Sequence, residues 1–143
     1  MINPIGFLKK NHQKKLTIQV WWYAAVFRVK IKFVPMKRLE KTFGIQNEET
    51  EFGDIEPAVR KRLRQISYHV NRVASHTPWE SLCLVRALTA QRIMKKEGLE
   101  STMYLGVMLE DGKMEAHAWI RHKDFYVTGG DGSGYAVVAK FRA

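Results

Sequence analysis

Residues 16–34 carry an apolar pattern that fits two kinds of secondary structure. At helical spacing the segment has a continuous apolar stripe, because residues three or four apart share one face of a helix. The stripe consists of Ile18, Trp21, Trp22, Ala25 and Val29. From Arg28 to Phe33, polar and apolar residues alternate instead, which is typical of a strand. We favour a helix to about residue 33, ended by Pro35, and a short helical piece over 36–43 that Gly44 stops.

A second helix is predicted after a polar, acidic loop at 45–54. Asp54 can cap this helix, and Pro57 falls in its first turn, where a missing N–H costs little. The helix runs to about Ala74 on a stripe with the 3.6-residue period. The stripe consists of Val59, Leu63, Ile66, Val70 and Val73.

A third helix has two possible starts. Thr77 can be its N-cap, with Glu80 completing a capping box, or Ser81 can be the N-cap instead. In either case the helix carries Cys83 and continues to Glu97, and Gly98 ends it.

Beyond Gly98 the apolar period changes from that of a helix to that of a strand. Strands are predicted at 102–109, 114–121, 125–128 and 135–141. Asp111 and Gly112 are the centre of a hairpin turn between the first two strands, and a tight turn near Lys123 leads to the third.

The order of these elements predicts the fold class. Helices in the first two thirds and an antiparallel meander in the last third indicate α+β, with the meander packed on the Cys-bearing helix. We expect a single domain over 1–143. It divides into a basic, aromatic helical region at 1–44, core helices at 54–98 and an antiparallel sheet at 101–141.

Composition adds an uneven distribution of charge to this picture. The 143 residues are 45% hydrophobic, which is enough for a core and excludes a disordered tail protein. The formal charge is +10, and residues 1–41 hold ten Lys or Arg against one acid, Glu40. This region therefore predicts a docking surface for acidic protein partners, although a solvated basic face has the same composition.

The N-terminal sequence does not predict export or membrane insertion. Basic residues precede an apolar run at 16–27, but no small-residue cleavage pattern follows it. Arg28, Lys30 and Lys32 then interrupt the apolar stretch, which argues against a membrane span. We expect a cytoplasmic protein.

Cys83, the only cysteine, excludes an intramolecular disulfide and a zinc site built on several cysteines. Helical spacing places it on a small apolar face with Ala87, Ala90 and Met94, as for a buried, inert thiol. If the helix starts near Ser81, however, Cys83 lies in its first turn. There the helix dipole favours a thiolate, and a backbone N–H can hold an oxyanion. The helix alone leaves both interpretations open.

His117 is the candidate base. Strand alternation puts it on the same side as Glu115, Trp119 and Arg121, so it is not simply part of the core. The predicted hairpin pairs Gly106 with His117, and a glycine there would leave space above the imidazole for a helix terminus or a substrate. An ordinary half-exposed strand histidine fits the local sequence equally well.

Nucleophilic thiol catalysis needs a third group that orients the base. The candidates are Asp131, Asp124 and Thr128. A three-residue turn before the third strand would place Asp131 on the side of His117, whereas a two-residue turn would place Thr128 there. Asp124 falls in the turn itself and is the poorer geometric choice. We therefore choose Asp131 as the third member.

Four short motifs, in order, resemble a known family. They are Cys83-Leu-Val-Arg-Ala-Leu88, Leu105-Gly-Val107, Ala116-His-Ala-Trp119 and Val127-Thr-Gly-Gly130. Together they resemble the small transglutaminase-like cysteine proteases of lasso-peptide biosynthesis, and more narrowly the stand-alone protease half of a split B protein. The resemblance covers roughly residues 75–141.

The resemblance implies a transglutaminase-like, papain-like fold and a set of roles. It implies a Cys-His-Asp protease that removes the leader peptide from a ribosomally made precursor. A separate ATP-dependent macrolactam synthetase then closes the ring, and a small leader-binding protein presents the leader. Cys83 and His117 match this set, whereas Gly129 and Gly130 occupy the stretch where its acid is expected.

Two other classes of site are disfavoured. His69, His76 and Cys83 are spaced by seven, too far apart on helices for one metal ion, and the glycines of 129–134 lack the ending of a phosphate loop. No metal or other cofactor is expected. The main alternative function is a non-enzymatic basic module that binds nucleic acid or an acidic peptide. Against nucleic acid, Trp21 and Trp22 suit a buried helix or a protein interface better than a base-stacking platform.

Overall fold

A computed structural model of the chain describes residues 14–74 and 83–143. Within these ranges the helices are α1 (Lys14–Phe33), α2 (Met36–Glu40), α3 (Pro57–Ala74) and α4 (Cys83–Lys96). The strands are β1 (Ile45–Gln46), β2 (Thr102–Glu110), β3 (Lys113–His122), β4 (Phe125–Thr128) and β5 (Ala136–Arg142). The two predicted starts of the helix that carries Cys83, at Thr77 and at Ser81, lie outside the described residues.

Helix α1 ends where the apolar pattern and Pro35 predict, so the alternation from Arg28 to Phe33 does not form a strand. Its buried side is not the predicted stripe, however. The residues that face the core are Leu16, Thr17, Val20, Ala24 and Phe27. Ile18, Trp22 and Val29, three members of the predicted stripe, are exposed. The helix therefore has apolar residues on both sides. Phe27 lies on the buried side, and the larger side chain of Trp22 lies on the outer side.

Helix α3 begins at Pro57, as the first-turn position of a proline predicts. Asp54 lies three residues before this start, so the predicted cap is displaced from the helix. The predicted stripe is confirmed, because its members pack in the core, Val59 only partly buried. The Ser67 hydroxyl donates to the Val127 carbonyl at 2.6 Å and so joins α3 to β4.

Helix α4 packs on β3 and β4 through its small apolar face. Ala87, Ala90 and Met94 of that face are fully buried, and small side chains allow the helix to approach the sheet closely. The helix ends at Lys96, and Gly98 takes a left-handed φ of 75°, which lets the Leu99 N–H donate to the Met94 carbonyl at 2.9 Å.

The five strands form one antiparallel sheet in the order β1-β5-β2-β3-β4. The helices and this sheet give the predicted α+β class. β2, β3 and β4 form the expected meander, but β5 returns to pair with β2 instead of extending the meander beyond β4. The segment predicted as a loop at 45–54 begins with β1, which pairs with the end of β5. A two-residue strand is too short for sequence periodicity to detect.

The turn between β3 and β4 combines the two predicted alternatives. It has two residues, because His122 pairs with Phe125, but a bulge then shifts the register. As a result Ile120 pairs with Thr128, so the residues of β4 face the sides that a three-residue turn would give them, although the pairing itself is shifted by two residues. Thr128 therefore lies on the side of Ile120, away from the side of His117.

The two faces of the sheet have different surroundings. Ala118 and Ile120 belong to the core that the helices cover, so alternation places His117, Trp119 and Arg121 on the opposite face. Residues from the 45–54 segment and from the loop after β4 cover much of that opposite face. The candidate base consequently lies among strand and loop residues and not among helix residues.

Candidate active site

Cys83 is the first described residue of α4, and its side chain is half-buried against the edge of the core. The buried face that it shares with Ala87 fits the structural interpretation of the cysteine. Its position in the described helix and its partial exposure fit the catalytic one, because a fully buried thiol could not reach a substrate.

His117 lies in β3 opposite Gly106, so the predicted register is confirmed. Its imidazole Nε2 is 2.6 Å from the Gly129 carbonyl oxygen. The ring also contacts two aromatic rings, with centroids 5.8 Å away at Trp119 and 4.8 Å away at Tyr135. These contacts hold the imidazole from three directions.

Gly106 has a different role from the one that the sequence predicts. A Cβ added at this position would lie 2.6 Å from Cη2 of Trp119, which is itself buried. The Trp119 indole therefore occupies the space above Gly106, and this glycine does not provide the predicted room above the imidazole. The glycine permits the Trp119 ring to lie flat across β2.

Cys83 and His117 belong to different faces of the sheet. Helix α4 packs on β3 from the side of Ala118 and Ile120, and Cys83 lies at the edge of that core. His117 lies on the opposite face, in contact with Trp119 and Tyr135.

A direct hydrogen bond does not join the two groups. Among the hydrogen bonds between described residues, none links the Cys83 thiol to His117. Catalytic hydrogen bonds are often long in a free enzyme and shorten only when substrate is bound.

The carboxylate of Asp131, the predicted third member, is hydrogen-bonded within its own loop. It accepts hydrogen bonds from the Ser133 hydroxyl at 2.6 Å and the Ser133 N–H at 3.0 Å, and the side chain is exposed. These hydrogen bonds hold the pKa of the Asp131 carboxyl below its usual value. The structure therefore does not bring Asp131 to His117.

Neither of the two other candidates for the third role makes a hydrogen bond to His117 within the described residues. Asp124 is exposed in the turn before β4 and accepts a hydrogen bond from the Gly53 N–H at 3.1 Å. Thr128 is buried on the other side of the sheet, and its hydroxyl makes no hydrogen bond to the residues that the structure describes. The group that does contact His117 is the Gly129 carbonyl. A main-chain carbonyl cannot be recognised from the type of its residue. The only sequence signal for it is Gly129 itself, whose backbone approaches β3 closely.

Neither a metal-binding cluster nor a membrane-spanning helix occurs in the part of the chain that the structure describes. No group of three or more His, Cys, Asp or Glu side chains within 14–74 and 83–143 could hold a metal ion. None of the helices in those ranges is both long and apolar enough to cross a membrane.

Comparison with protein families identifies the class to which this arrangement belongs. Residues 30–140 match the family model described as the transglutaminase-like superfamily, and this match covers most of the chain. The chain therefore belongs to the transglutaminase-like superfamily, whose members commonly have cysteine peptidase or acyltransferase activity. No curated protein and no solved structure matches the chain.

Proposed function

We propose that the protein is a cysteine peptidase in which Cys83 is the nucleophile and His117 is the general base. One observation carries the proposal. In a chain of this superfamily, the only thiol lies at the described start of α4, and the imidazole of His117 is held by a main-chain acceptor. Thiol catalysis of acyl transfer needs such a pair, with the base held in one orientation.

The proposed reaction is transfer of an acyl group to water. His117 accepts the thiol proton as the Cys83 sulfur attacks the carbonyl carbon of the scissile peptide bond. A backbone N–H, for which Cys83 is the candidate, donates to the oxyanion. The imidazolium then protonates the leaving amine as the C–N bond breaks, which leaves a thioester. His117 next takes a proton from water as the water oxygen attacks the thioester, and returns it to the departing thiolate.

The proposed substrate is a lasso-peptide precursor, from which the enzyme removes the leader before an ATP-dependent macrolactam synthetase closes the ring. The support is the resemblance of four ordered motifs, two of which contain Cys83 and His117. The proposed location is the cytoplasm, where a ribosomal precursor is made. A leader-binding protein is the proposed partner that presents the leader.

The outer face of α1 supports docking of that partner. Ile18, Trp22, Val29 and Phe33 are exposed at spacings of four, seven and four residues, so they form one apolar stripe along the helix. The charges carried by α1 are all positive, and no acidic residue occurs between Lys14 and Leu39. An acidic protein surface with an apolar groove would complement this face.

Docking can be measured by titration calorimetry with a recombinant leader-binding protein. Replacing Trp22 and Phe33 by Ser should weaken binding at least about 10-fold, because large aromatic side chains contribute most of the energy of an interface. Tyr68→Ser is the matched control, since Tyr68 is similarly exposed on α3. Equal affinity of both variants and the native protein would contradict docking at this face.

Mass spectrometry of a candidate precursor tests the proposed activity. The precursor is incubated with the protein, with and without the leader-binding protein, and cleavage should release the leader with the addition of one water. Cys83→Ala and Cys83→Ser should abolish cleavage while the circular dichroism of the protein stays unchanged. Cleavage by a folded Cys83→Ala protein would refute the proposal. Nucleic-acid binding that weakens steeply with salt would instead favour the basic binding module.

A further inference from the structure

We propose that the main-chain carbonyl of Gly129, and not a carboxylate, orients His117 for catalysis. The assignment rests on the proposed function for its chemical meaning, because it gives the third role in the thiol mechanism to a backbone atom. The contact that carries it joins His117 Nε2 to the Gly129 oxygen at 2.6 Å.

This contact determines which ring nitrogen carries the proton. A carbonyl oxygen can only accept, so Nε2 must be the protonated nitrogen of the neutral imidazole. Nδ1 then has the free electron pair and is the atom that takes the thiol proton from Cys83. Since Nε2–H donates to the same oxygen in both protonation states of the ring, the orientation persists through the catalytic cycle.

The backbone at Gly129 is shaped for this role. Its φ is +79°, in the left-handed region that disfavours residues with a side chain. A Cβ at Gly129 would collide with the Ala118 carbonyl oxygen and lie 2.8 Å from Cβ of Trp119. Only glycine can bring its main chain this close to β3, and this approach places the carbonyl against His117.

The aromatic neighbours complete the positioning. The His117 ring is stacked on Trp119 with an angle of 25° between planes and tilted by 30° against Tyr135. Gly132 packs directly on the Trp119 indole, so the loop after β4 supports the stack from outside. The ring is thus held both in its plane, by the Gly129 carbonyl, and across its faces.

The nearby carboxylate has a different task. Asp131 accepts two hydrogen bonds from Ser133 and so closes the turn that follows Gly130. The turn requires an acceptor oxygen on the side chain of residue 131, and it does not require a negative charge. Asp131→Asn keeps that acceptor and removes the charge, so it separates the two explanations of the third role.

Three variants test the assignment through two rates. Because Cys83 is the only cysteine, alkylation by iodoacetamide reports on that thiol alone. Gly129→Ala should slow both alkylation and precursor cleavage by about 10²-fold, since a displacement of about 1 Å at a catalytic group has an effect of this size. Gly130→Ala is the matched control, with the same left-handed φ but open space around the added methyl, and should change either rate less than about 3-fold. Asp131→Asn should behave like the control.

Nitrogen-15 NMR of the native protein gives a test that does not depend on any variant folding. The His117 imidazole should show a protonated Nε2 and an unprotonated Nδ1 at high pH. The opposite tautomer would overturn the assignment, and so would a loss of about 10⁴-fold in rate for Asp131→Asn, which is typical when a triad carboxylate is removed. Normal alkylation and the expected tautomer without precursor cleavage would support the assignment and contradict only the proposed function.

Discussion

The guanidinium carbon of Arg121 lies 3.6 Å from the centre of the Phe52 ring, so the cation lies over the face of the ring. Arg121 is fully buried in β3, two residues after Trp119, and donates to the Thr50 carbonyl at 2.8 Å and the Tyr104 hydroxyl at 2.9 Å. This single side chain therefore attaches the 45–54 segment to the sheet face that carries His117.

Removal of Arg121 should strongly destabilise the fold. Arg121→Ala leaves the buried Thr50 carbonyl without this donor, and loss of one partner of a buried charged network costs about 3–5 kcal/mol in the free energy of unfolding. Arg62→Ala is the control, because its ion pair with Glu97 at 2.7 Å is partly exposed and such pairs contribute about 1 kcal/mol or less. Urea denaturation measures both, and equal losses would show that the Arg121 network contributes little.

Gly106→Ala should disturb the aromatic stack beside His117. The added methyl would lie 2.6 Å from the Trp119 ring and 3.1 Å from the Ala136 carbonyl oxygen, so the buried indole must move. Overpacking of this kind costs about 1–3 kcal/mol. We expect a lower urea midpoint and a changed near-ultraviolet circular dichroism of Trp119. An unchanged near-ultraviolet spectrum would mean that the indole does not depend on Gly106.

Truncation of a side chain should lower stability strongly on the buried face of α1 and hardly at all on its outer face. Phe27 is buried against the core, and Phe27→Ala should cost about 3–5 kcal/mol in the free energy of unfolding. Trp22 is 66% exposed, so Trp22→Ala should change stability by no more than about 0.5 kcal/mol. Thermal and urea unfolding of the two isolated variants and the native protein measure these losses. A large loss for Trp22→Ala would place that side chain inside the fold.

Acid should weaken the fold through His69 of α3. Burial lowers the pKa of His69 below its ordinary value of 6.5, and the charges of Arg72 and Arg62 lower it further. The unfolded state therefore binds a proton more readily than the folded state. The stability from the neutral imidazole is fully present above about pH 6.5 and is lost as the pH falls toward the lowered pKa.

Urea midpoints measured between pH 8 and pH 5 test this dependence. The native protein should lose stability below about pH 6.5, and His69→Gln should lose less over the same interval, because glutamine does not titrate. If His69→Gln has the same pH dependence of stability as the native protein, groups other than His69 cause the loss of stability in acid.

The local features of the sheet were predictable because turn chemistry acts over a few residues. Asp111 and Gly112 both take positive φ, as the two-residue hairpin requires, and this alone sets the pairing of Gly106 with His117. The β3–β4 register was not predictable, since its bulge depends on packing across the sheet. The return of β5 to β2 likewise depends on contacts between distant segments.

The site was only partly predictable for a related reason. Cys83 and His117 belong to motifs that a family resemblance can identify, and the family match agrees with the broad part of that resemblance, a transglutaminase-like domain. The Gly129 carbonyl could not be predicted, because every residue has a carbonyl and only the folded backbone aims one of them. The outer face of α1 was predicted as apolar, but the sequence could not tell which of the two apolar sides the core would use.

The return of β5 to the side of β2 affects the order in which the sheet can form. The hairpin of β2 and β3 can pair as soon as both strands exist, whereas the other edge of β2 stays unpaired until β5 has been synthesised. Pairing of segments distant in sequence slows folding, and an unpaired edge can associate with another chain. Vectorial synthesis therefore exposes the β2 edge for a time, during which a chaperone would be most useful.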